Sequence, residues 1–174
     1  SPGDVIYSST KIQNINKPNL SMDRLHAIME SEKVSFNQLR KTVKNFSRVK
    51  IHLIGDIIID KYNYCSILGQ TTKTPTFSIK KNLEKTFVGG AGVVAKHIKN
   101  LGSKVIISSM IGKDSSGKYL EKDLKNNDIK SNLIVDETRN TTVKERFWGD
   151  DYKLLQVDLV DNHPISEAVE NKFI

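Results

Sequence analysis

The sequence predicts an α/β fold with a doubly wound parallel sheet. Two observations lead to this class: apolar runs that suit buried strands alternate with segments of helical periodicity, and turn signals separate them. The runs and periodic segments follow one another as Ile51–Asp60, Gly90–Leu101, Lys104–Ile111, Ser115–Asn127 and Asn132–Asp136. Right-handed crossovers are expected between strands connected in this order.

The first of these runs is continuous enough for a strand buried on both faces, so Ile51–Asp60 is predicted to be a central parallel strand. Before it, apolar spacing predicts two amphipathic helices, over Ser21–Glu32 and Ser35–Phe46. After the strand, Gly102 is a normal stop for the helix Gly90–Leu101.

The fourth predicted helix, Ser115–Asn127, is expected to begin at a serine cap. Ser115 or Ser116 is the predicted cap, because serine oxygens accept hydrogen bonds from the free N–H groups of a first helical turn. Asp114, just before them, is expected to cap or orient its loop rather than to contact a substrate.

A double glycine marks a candidate binding corner. Gly89 and Gly90 end a strand-like run and open the helix that follows. Glycines let a substrate touch bare backbone, and the start of a helix offers N–H groups to a polar or anionic ligand.

Alternating segments predict a small β flap beside the main sheet. Thr76–Ile79 alternates as a half-exposed antiparallel strand does, and Thr141–Phe147 and Lys153–Asp158 alternate around a tight turn at residues 149–151. The last two are therefore predicted to form a hairpin that joins the flap.

Length and charge limit the functional classes. With 174 residues, one domain plus an extension is expected. The net charge is +7, but the lysines are scattered and form no basic stripe with aromatic residues, which argues against nucleic-acid binding. An anionic small substrate would suit the excess of positive charge.

The single cysteine, Cys65, excludes an internal disulfide and a multi-cysteine zinc site, and it favours a reducing cytoplasm. No apolar run approaches about 18 residues, so no membrane span is expected. His26, His52, His97 and His163 lack metal-ligand spacing, and no metal site is predicted.

The chain begins without methionine and stops inside a helix predicted after Pro164, so we expect a piece of a longer protein.

Several motifs together resemble the N-terminal half of ribokinase-superfamily (PfkB-type) carbohydrate kinases, most closely the heptose-phosphate kinases of ADP-heptose synthesis. The resemblance covers Val49–Asp158 and rests on order and spacing over about 110 residues. The matching pieces are Gly55–Tyr62, Thr74–Phe77, Gly89–Ala91, Leu101-Gly102, Gly112–Asp114 with Gly117, Thr142–Arg146 and Gln156–Asp158.

This resemblance implies an incomplete three-layer α/β/α sheet with a small β lid, and phosphoryl transfer from ATP to a sugar hydroxyl. Asp60 would accept hydrogen bonds from sugar hydroxyls, and Gly89 and Gly90 would let the sugar approach the backbone. Lys144 and Arg146 would face a phosphate already on the sugar.

The chain departs from this family pattern at two points. Gly92 and Val93 stand where the family usually has Ala-Asn, and valine cannot make the asparagine's hydrogen bond, so either the substrate differs or binding is lost. The family's catalytic aspartate lies in a Gly-Ala-Gly-Asp motif that has no match here. No catalytic residue is therefore assigned; ATP and Mg²⁺ are expected in the parent enzyme and not on this fragment.

The N-terminal segment carries a second resemblance. Val5–Ile12 is similar to the Ile-Ser-Ser-Thr-x-Ile-Arg signature of cytidylyltransferase-like nucleotidyltransferases, with Gln13 in place of the usual arginine. The resemblance implies that Ser8, Ser9 and Thr10 bind nucleotide phosphates.

A fusion of the two enzymes would then divide the chain into three parts. Residues 1–20 would be a transferase tail, 21–48 linker and connecting helices, and 49–174 the kinase part.

Three functions remain open on the sequence. The chain is the substrate-binding half of a sugar or sugar-phosphate kinase, a non-catalytic association module derived from a kinase, or a nucleotide-binding junction piece. A homodimer through the lid is expected as well, because an open flap exposes strand edges that a second copy can cover, with Thr76–Ile79 and Thr141–Phe147 near the interface.

Overall fold

The structure is a computed structural model that describes residues 20–173. The chain divides into two compact units, residues 1–43 and 44–174. Helix α1 (Leu20–Ser31) lies in the first unit, and α2 (Phe36–Asn45) begins there. Ser35 and Gln38 form a reciprocal capping box: the Ser35 N–H donates to Gln38 Oε1 at 2.6 Å and the Gln38 N–H to Ser35 Oγ at 3.3 Å. Both predicted helices are confirmed.

The second unit holds two sheets. Its strands and helices, after a short 3₁₀ turn at Phe46–Arg48, are β1 (Lys50–Ile54), β2 (Ile57–Gln70), β3 (Phe77–Gly90), α3 (Ala91–Asn100), β4 (Lys104–Gly112), α4 (Ser115–Asn126), β5 (Lys130–Asp136), β6 (Val143–Gly149), β7 (Tyr152–Leu159) and α5 (Glu167–Glu170). The order β1-β4-β5 forms a parallel sheet, and β3-β2-β6-β7 forms a mixed sheet that we call the lid.

One hydrophobic core joins the parallel sheet, the base of the lid and the helices. Ala95 of α3, Ile107 of β4 and Leu120 of α4 are fully buried in it. Ile57 and Ile59 of β2 belong to the same cluster, so the lid is anchored to the main sheet by apolar side chains. The predicted α/β class is confirmed. The predicted helix between Gly90 and Gly102 and the hairpin that completes the lid are confirmed as well.

The prediction of one central strand over Ile51–Asp60 is wrong. The chain leaves the parallel sheet at Gly55 and Asp56, and Ile57 begins a strand of the lid. The Ile57 N–H donates to the Oγ of Ser109 at 2.9 Å instead of continuing a ladder with β4. The Asp56 carbonyl accepts the Ala91 N–H at 2.8 Å, which fixes the start of α3 beside the break. Asp60 therefore belongs to the lid.

The predicted serine cap of α4 is also wrong, because Asp114 is the N-cap. Its Oδ1 accepts the Gly117 N–H at 2.7 Å, and its Oδ2 accepts the Thr141 N–H at 2.8 Å. Burial alone would raise the pKa of Asp114, but the hydrogen bonds from Gly117, Thr141 and Ser116 outweigh it and hold the pKa below its ordinary value. One carboxylate thus fixes both α4 and the loop before β6, as the expected loop-orienting role requires.

Replacing Asp114 with alanine should lower the free energy of unfolding by about 1–2 kcal/mol, the usual effect of losing an N-cap. Because the folded-state pKa lies below the ordinary one, the carboxylate's contribution is present above about pH 4 and is lost as the pH falls through the folded pKa. Urea denaturation of the wild type and of Asp114→Ala between pH 7 and pH 3 measures the two free energies of unfolding. The difference between them should become smaller as the pH falls, and Glu121→Ala, at an exposed position of the same helix, is the control. A difference that grows as the pH falls would contradict the proposed role of the Asp114 carboxylate.

Candidate substrate site

An ion pair on the lid forms the centre of the candidate site. Asp60 on β2 and Arg146 on β6 are joined by a hydrogen bond of 2.5 Å from Nη1 to Oδ1. Their side chains are only 20% and 19% exposed. The bond to Asp60 raises the pKa of Arg146, while burial opposes the rise. The guanidinium also lies 5.2 Å from the centroid of the Tyr62 ring, a cation–π distance. Arg146 therefore holds one oxygen of Asp60 in a fixed position.

The second oxygen of Asp60 faces the first glycine of the pair. Gly89 lies opposite Ile58 in the antiparallel ladder of β2 and β3, and a Cβ built on it would overlap Asp60 Oδ2. Any side chain at this position would displace the carboxylate. Gly89 therefore leaves the carboxylate against bare backbone.

The second glycine is required by backbone geometry. Gly90 has φ +57° and ψ −136° at the N-cap of α3, a region that L-residues rarely adopt. A Cβ there would overlap the Asp56 carbonyl oxygen, which accepts the Ala91 N–H. Gly90 thus lets the chain turn from the lid into α3 within one residue.

A cavity of about 470 Å³, which we call the Asp60 cavity, opens beside these residues. Aromatic side chains of the lid, the two glycines and side chains of both helices line it. The lining residues are Asp60, Tyr62, Thr86, Phe87, Val88, Gly89, Gly90, Val93, Lys96, Tyr119 and Asp123. Apolar ring faces beside carboxylate and ammonium groups suit a ligand with both C–H and O–H surfaces, such as a sugar.

Lys144 lies at a different cavity from Asp60. It is paired with Asp60 in the β2–β6 register, yet it lines a neighbouring cavity of about 530 Å³ together with Asp56, Gly90, Arg139 and His163. This cavity lies beyond the carboxyl ends of β1 and β4, where open α/β sheets usually bind ligands. Gly90 lines both cavities, so the two are neighbours.

An ion pair supports the wall of this second cavity. Arg139 Nε donates to Asp136 Oδ2 at 2.8 Å, and its two remaining nitrogens donate to the carbonyls of His163 and Pro164. The hydrogen bonds from Thr138 hold the pKa of Asp136 below its ordinary value, with Arg139 adding to the effect.

The structure thus brings four of the five predicted substrate residues to two neighbouring cavities. Asp60, Gly89 and Gly90 line one of them, and Gly90 and Lys144 line the other. Arg146 lines neither and instead holds Asp60. Ser8, Ser9 and Thr10 lie outside the described residues. Across residues 20–173, no group of three or more His, Cys, Asp or Glu side chains is placed to hold a metal ion.

Five residues that line the Asp60 cavity were not predicted as site residues from the sequence: Tyr62, Phe87, Lys96, Tyr119 and Asp123. Helical spacing could have found Lys96, which follows Val93 by three residues and so shares its face of α3. Tyr119 and Asp123 lie on α4, and only the packing of α4 beside α3 brings them to the cavity.

Comparison with known proteins agrees with this architecture. The profile of the pfkB family carbohydrate kinases matches residues 49–156. The chain belongs to the pfkB family of carbohydrate kinases. Among solved structures, a candidate sugar kinase from Clostridium perfringens superposes with a TM-score of 0.56 and 12% identity, covering 71% of this chain and 39% of that one. The resemblance inferred from the motifs is confirmed, and so is the ribokinase-like fold.

Curated relatives include the bifunctional protein HldE of several bacteria. The protein from Bradyrhizobium diazoefficiens is 31% identical over 144 residues, which cover 81% of this chain and 28% of the relative. HldE from Campylobacter concisus is 31% identical over 112 residues, which cover 64% of this chain and 24% of the relative. The chain therefore spans about a quarter of the length of the curated relatives that it matches. In the part of this chain that is described, no helix is both long and apolar enough to cross a membrane.

Proposed function

We propose that this pfkB-family chain is the substrate-binding part of a sugar or sugar-phosphate kinase. The observation that carries the proposal is the Asp60 carboxylate, with Oδ1 held by Arg146 and Oδ2 against the bare backbone of Gly89. A carboxylate oriented in this way can accept hydrogen bonds from sugar hydroxyls, and the missing Cβ of Gly89 leaves room for the carboxylate to take this position. The rings of Tyr62 and Phe87 would contact its C–H faces.

A phosphate already on the sugar would extend into the second cavity. Lys144 and Arg139 line that cavity, and both carry positive charge. An ammonium group is a good point charge for phosphate, so Lys144 keeps its proposed role. Arg146 is proposed to act through Asp60 instead of on the phosphate directly. In the complete enzyme, ATP and Mg²⁺ would supply the transferred phosphoryl group and neutralise its charge.

The resemblance of the motifs to heptose-phosphate kinases favours a heptose phosphate as the substrate, and the bifunctional relatives favour a parent protein with two activities. In this proposal residues 49–174 belong to the kinase, residues 21–48 are linker and connecting helices, and residues 1–20 are the end of a nucleotidyltransferase. Ser8, Ser9 and Thr10 would then bind nucleotide phosphates. The cytoplasm, where ATP and sugar phosphates are available, is the proposed location.

Calorimetric titration of the 174-residue chain tests the proposal. A heptose 7-phosphate, fructose 6-phosphate and free inorganic phosphate are the probes. Saturable binding of a sugar phosphate, with much weaker binding of inorganic phosphate, is expected because the hydroxyl contacts at Asp60 add to the phosphate contact. Equal affinity for inorganic phosphate and the sugar phosphates would contradict the proposed sugar site.

A homodimer through the lid is part of the same proposal. β7 forms one edge of the lid, and every residue of it is exposed. Its apolar side chains include Tyr152 at 75%, Leu155 at 55% and Leu159 at 51% exposure. An exposed apolar edge strand is a typical pairing surface, so β7 is a stronger candidate than the interface segments expected from the sequence.

Replacing Leu155 with glutamate should convert the dimer to a monomer, because the new charge would be buried at the interface. Light scattering after size-exclusion chromatography measures the mass at high micromolar concentration. Ile106→Glu is the matched control, since Ile106 is an exposed apolar residue of the parallel sheet and lies outside the lid. A wild-type monomer, or equal loss of mass in both variants, would contradict dimerisation by β7.

A further inference from the structure

Asp123 and Lys96 form an ion pair at the wall of the Asp60 cavity, and no family motif in the sequence includes them. Lys96 Nζ lies 2.6 Å from Asp123 Oδ2, and the two side chains are 25% and 21% exposed. Both line the cavity together with Asp60 and Gly89. The arrangement repeats that of Asp60 with Arg146, because in each pair a cation holds one oxygen of a carboxylate at the cavity.

The position of this pair on the two helices is set by spacing. On α3, Lys96 follows Val93 by three residues, and both line the cavity. On α4, Asp123 follows Tyr119 by four residues, and these two also share one face. The Tyr119 hydroxyl donates to the Thr86 carbonyl of the lid at 3.2 Å, which joins α4 to the lid beside the cavity.

At this wall of the cavity, Asp123 is the side chain of α4 that can act as a charged hydrogen-bond acceptor. Val93 lines the cavity but offers a substrate no hydrogen bond. In the described contacts of the Asp123 carboxylate, Lys96 and Asn127 reach Oδ2, so Oδ1 is the oxygen that can accept from a ligand. The Lys96 charge offsets the cost of holding a carboxylate at a partly desolvated site.

We propose that Asp123 is a second hydroxyl-accepting residue of the sugar site and that Lys96 positions it. This inference rests on the proposed sugar-binding function and deepens it. The substrate is then a sugar with free hydroxyl groups at two separate positions, one facing Asp60 on the lid and the other facing Asp123 on α4. Discrimination between sugars at the α4 end then depends on the Asp123 carboxylate.

The test is calorimetric titration of the full 174-residue chain with a heptose 7-phosphate and its monodeoxy analogues. The wild-type protein should bind one analogue about tenfold more weakly, because that analogue lacks the hydroxyl that donates a hydrogen bond to Asp123. Asp123→Asn should bind the parent sugar about tenfold more weakly, and it should distinguish that analogue from the parent less well, because a neutral amide oxygen is a weaker acceptor than a carboxylate. A variant with only a structural defect would keep the discrimination.

Two further variants keep the result interpretable. Asp128→Asn removes the carboxylate of the Lys99–Asp128 ion pair, which is 2.7 Å long and lies away from the Asp60 cavity, so its sugar affinity should equal that of the wild type. If Asp123→Asn does not fold, the double variant Lys96→Met/Asp123→Leu replaces the pair by apolar side chains, and it should lose the discrimination completely because no acceptor remains.

The outcomes separate this inference from the proposed function. If Asp60→Asn weakens binding and Asp123→Asn leaves both affinity and discrimination unchanged, Asp123 is not an acceptor and the sugar site still stands. If the wild-type chain binds none of the sugars, the proposed function fails, and the role of Asp123 fails with it.

Discussion

Replacing Asp60 with asparagine should weaken sugar-phosphate binding about tenfold to a hundredfold. The physical reason is the loss of a charged acceptor, because a hydrogen bond to an ionised group contributes about 1.5–3 kcal/mol. The same change removes the anion that pairs with Arg146, so the arrangement of the site also loosens. Calorimetric titration with a heptose 7-phosphate measures the dissociation constant.

Asp151→Asn is the matched control for this prediction. Asp151 lies in the turn between β6 and β7, is exposed and lines neither cavity. Its removal should leave the affinity unchanged. Because Asp60→Asn leaves the Arg146 charge unpaired, the double variant Asp60→Asn/Arg146→Gln provides a neutral pair to compare. If either Asp60 variant binds as tightly as the wild type, the carboxylate does not contact the substrate.

Replacing Gly90 with alanine should lower the free energy of unfolding by at least about 2 kcal/mol. Two effects add: the positive φ of +57° is unfavourable for a residue with a Cβ, and that Cβ would overlap the Asp56 carbonyl oxygen. The overlap is with backbone, so a change of rotamer cannot relieve it. Urea denaturation followed by circular dichroism measures the loss.

Gly55→Ala is the control, because Gly55 lies in the break between the parallel sheet and the lid. A Cβ on Gly55 would lie 3.4 Å from the Ala91 Cβ, an ordinary contact, and Gly55 has no positive φ. Its stability should stay within about 0.5 kcal/mol of the wild type. Equal stability of the Gly90 and Gly55 variants would show that the turn into α3 does not need a glycine.

Local patterns in the sequence determine most of the parallel sheet and its helices. The apolar runs of β4 and β5 and the stop at Gly102 with φ +93° are local features, and each could be predicted from neighbouring residues. The hairpin of β6 and β7 could also be predicted, since alternation and a polar two-residue turn suffice.

The break after Ile54 could not be predicted from the apolar run alone. Residues 51–60 satisfy the pattern of one buried strand, and the division depends on the Ser109 hydroxyl that accepts the Ile57 N–H from 52 positions away. The assignment of Asp60 as a candidate residue was still possible, because it came from motif order. Its location on the lid, however, depends on a tertiary hydrogen bond.

The candidate site shows the same distinction. Lys144 and Arg146 look equivalent in sequence, two residues apart on one strand, yet Arg146 pairs with Asp60 while Lys144 lines another cavity. Asp123 could not be identified because its approach to the site depends on how α4 packs beside α3. The spacing of residues within one helix or strand can be read from the sequence, whereas contacts between helices and strands cannot.

Chemical-shift mapping tests the central claim most directly. A heptose 7-phosphate is titrated into the ¹⁵N-labelled chain, and the backbone amide signals are followed. Saturable shifts concentrated at Gly89, Gly90 and Ala91 are expected, with smaller shifts at Lys144. Shifts confined to the amino ends of the parallel strands, at Lys50, Lys104 and Lys130, would contradict a sugar site at the Asp60 cavity.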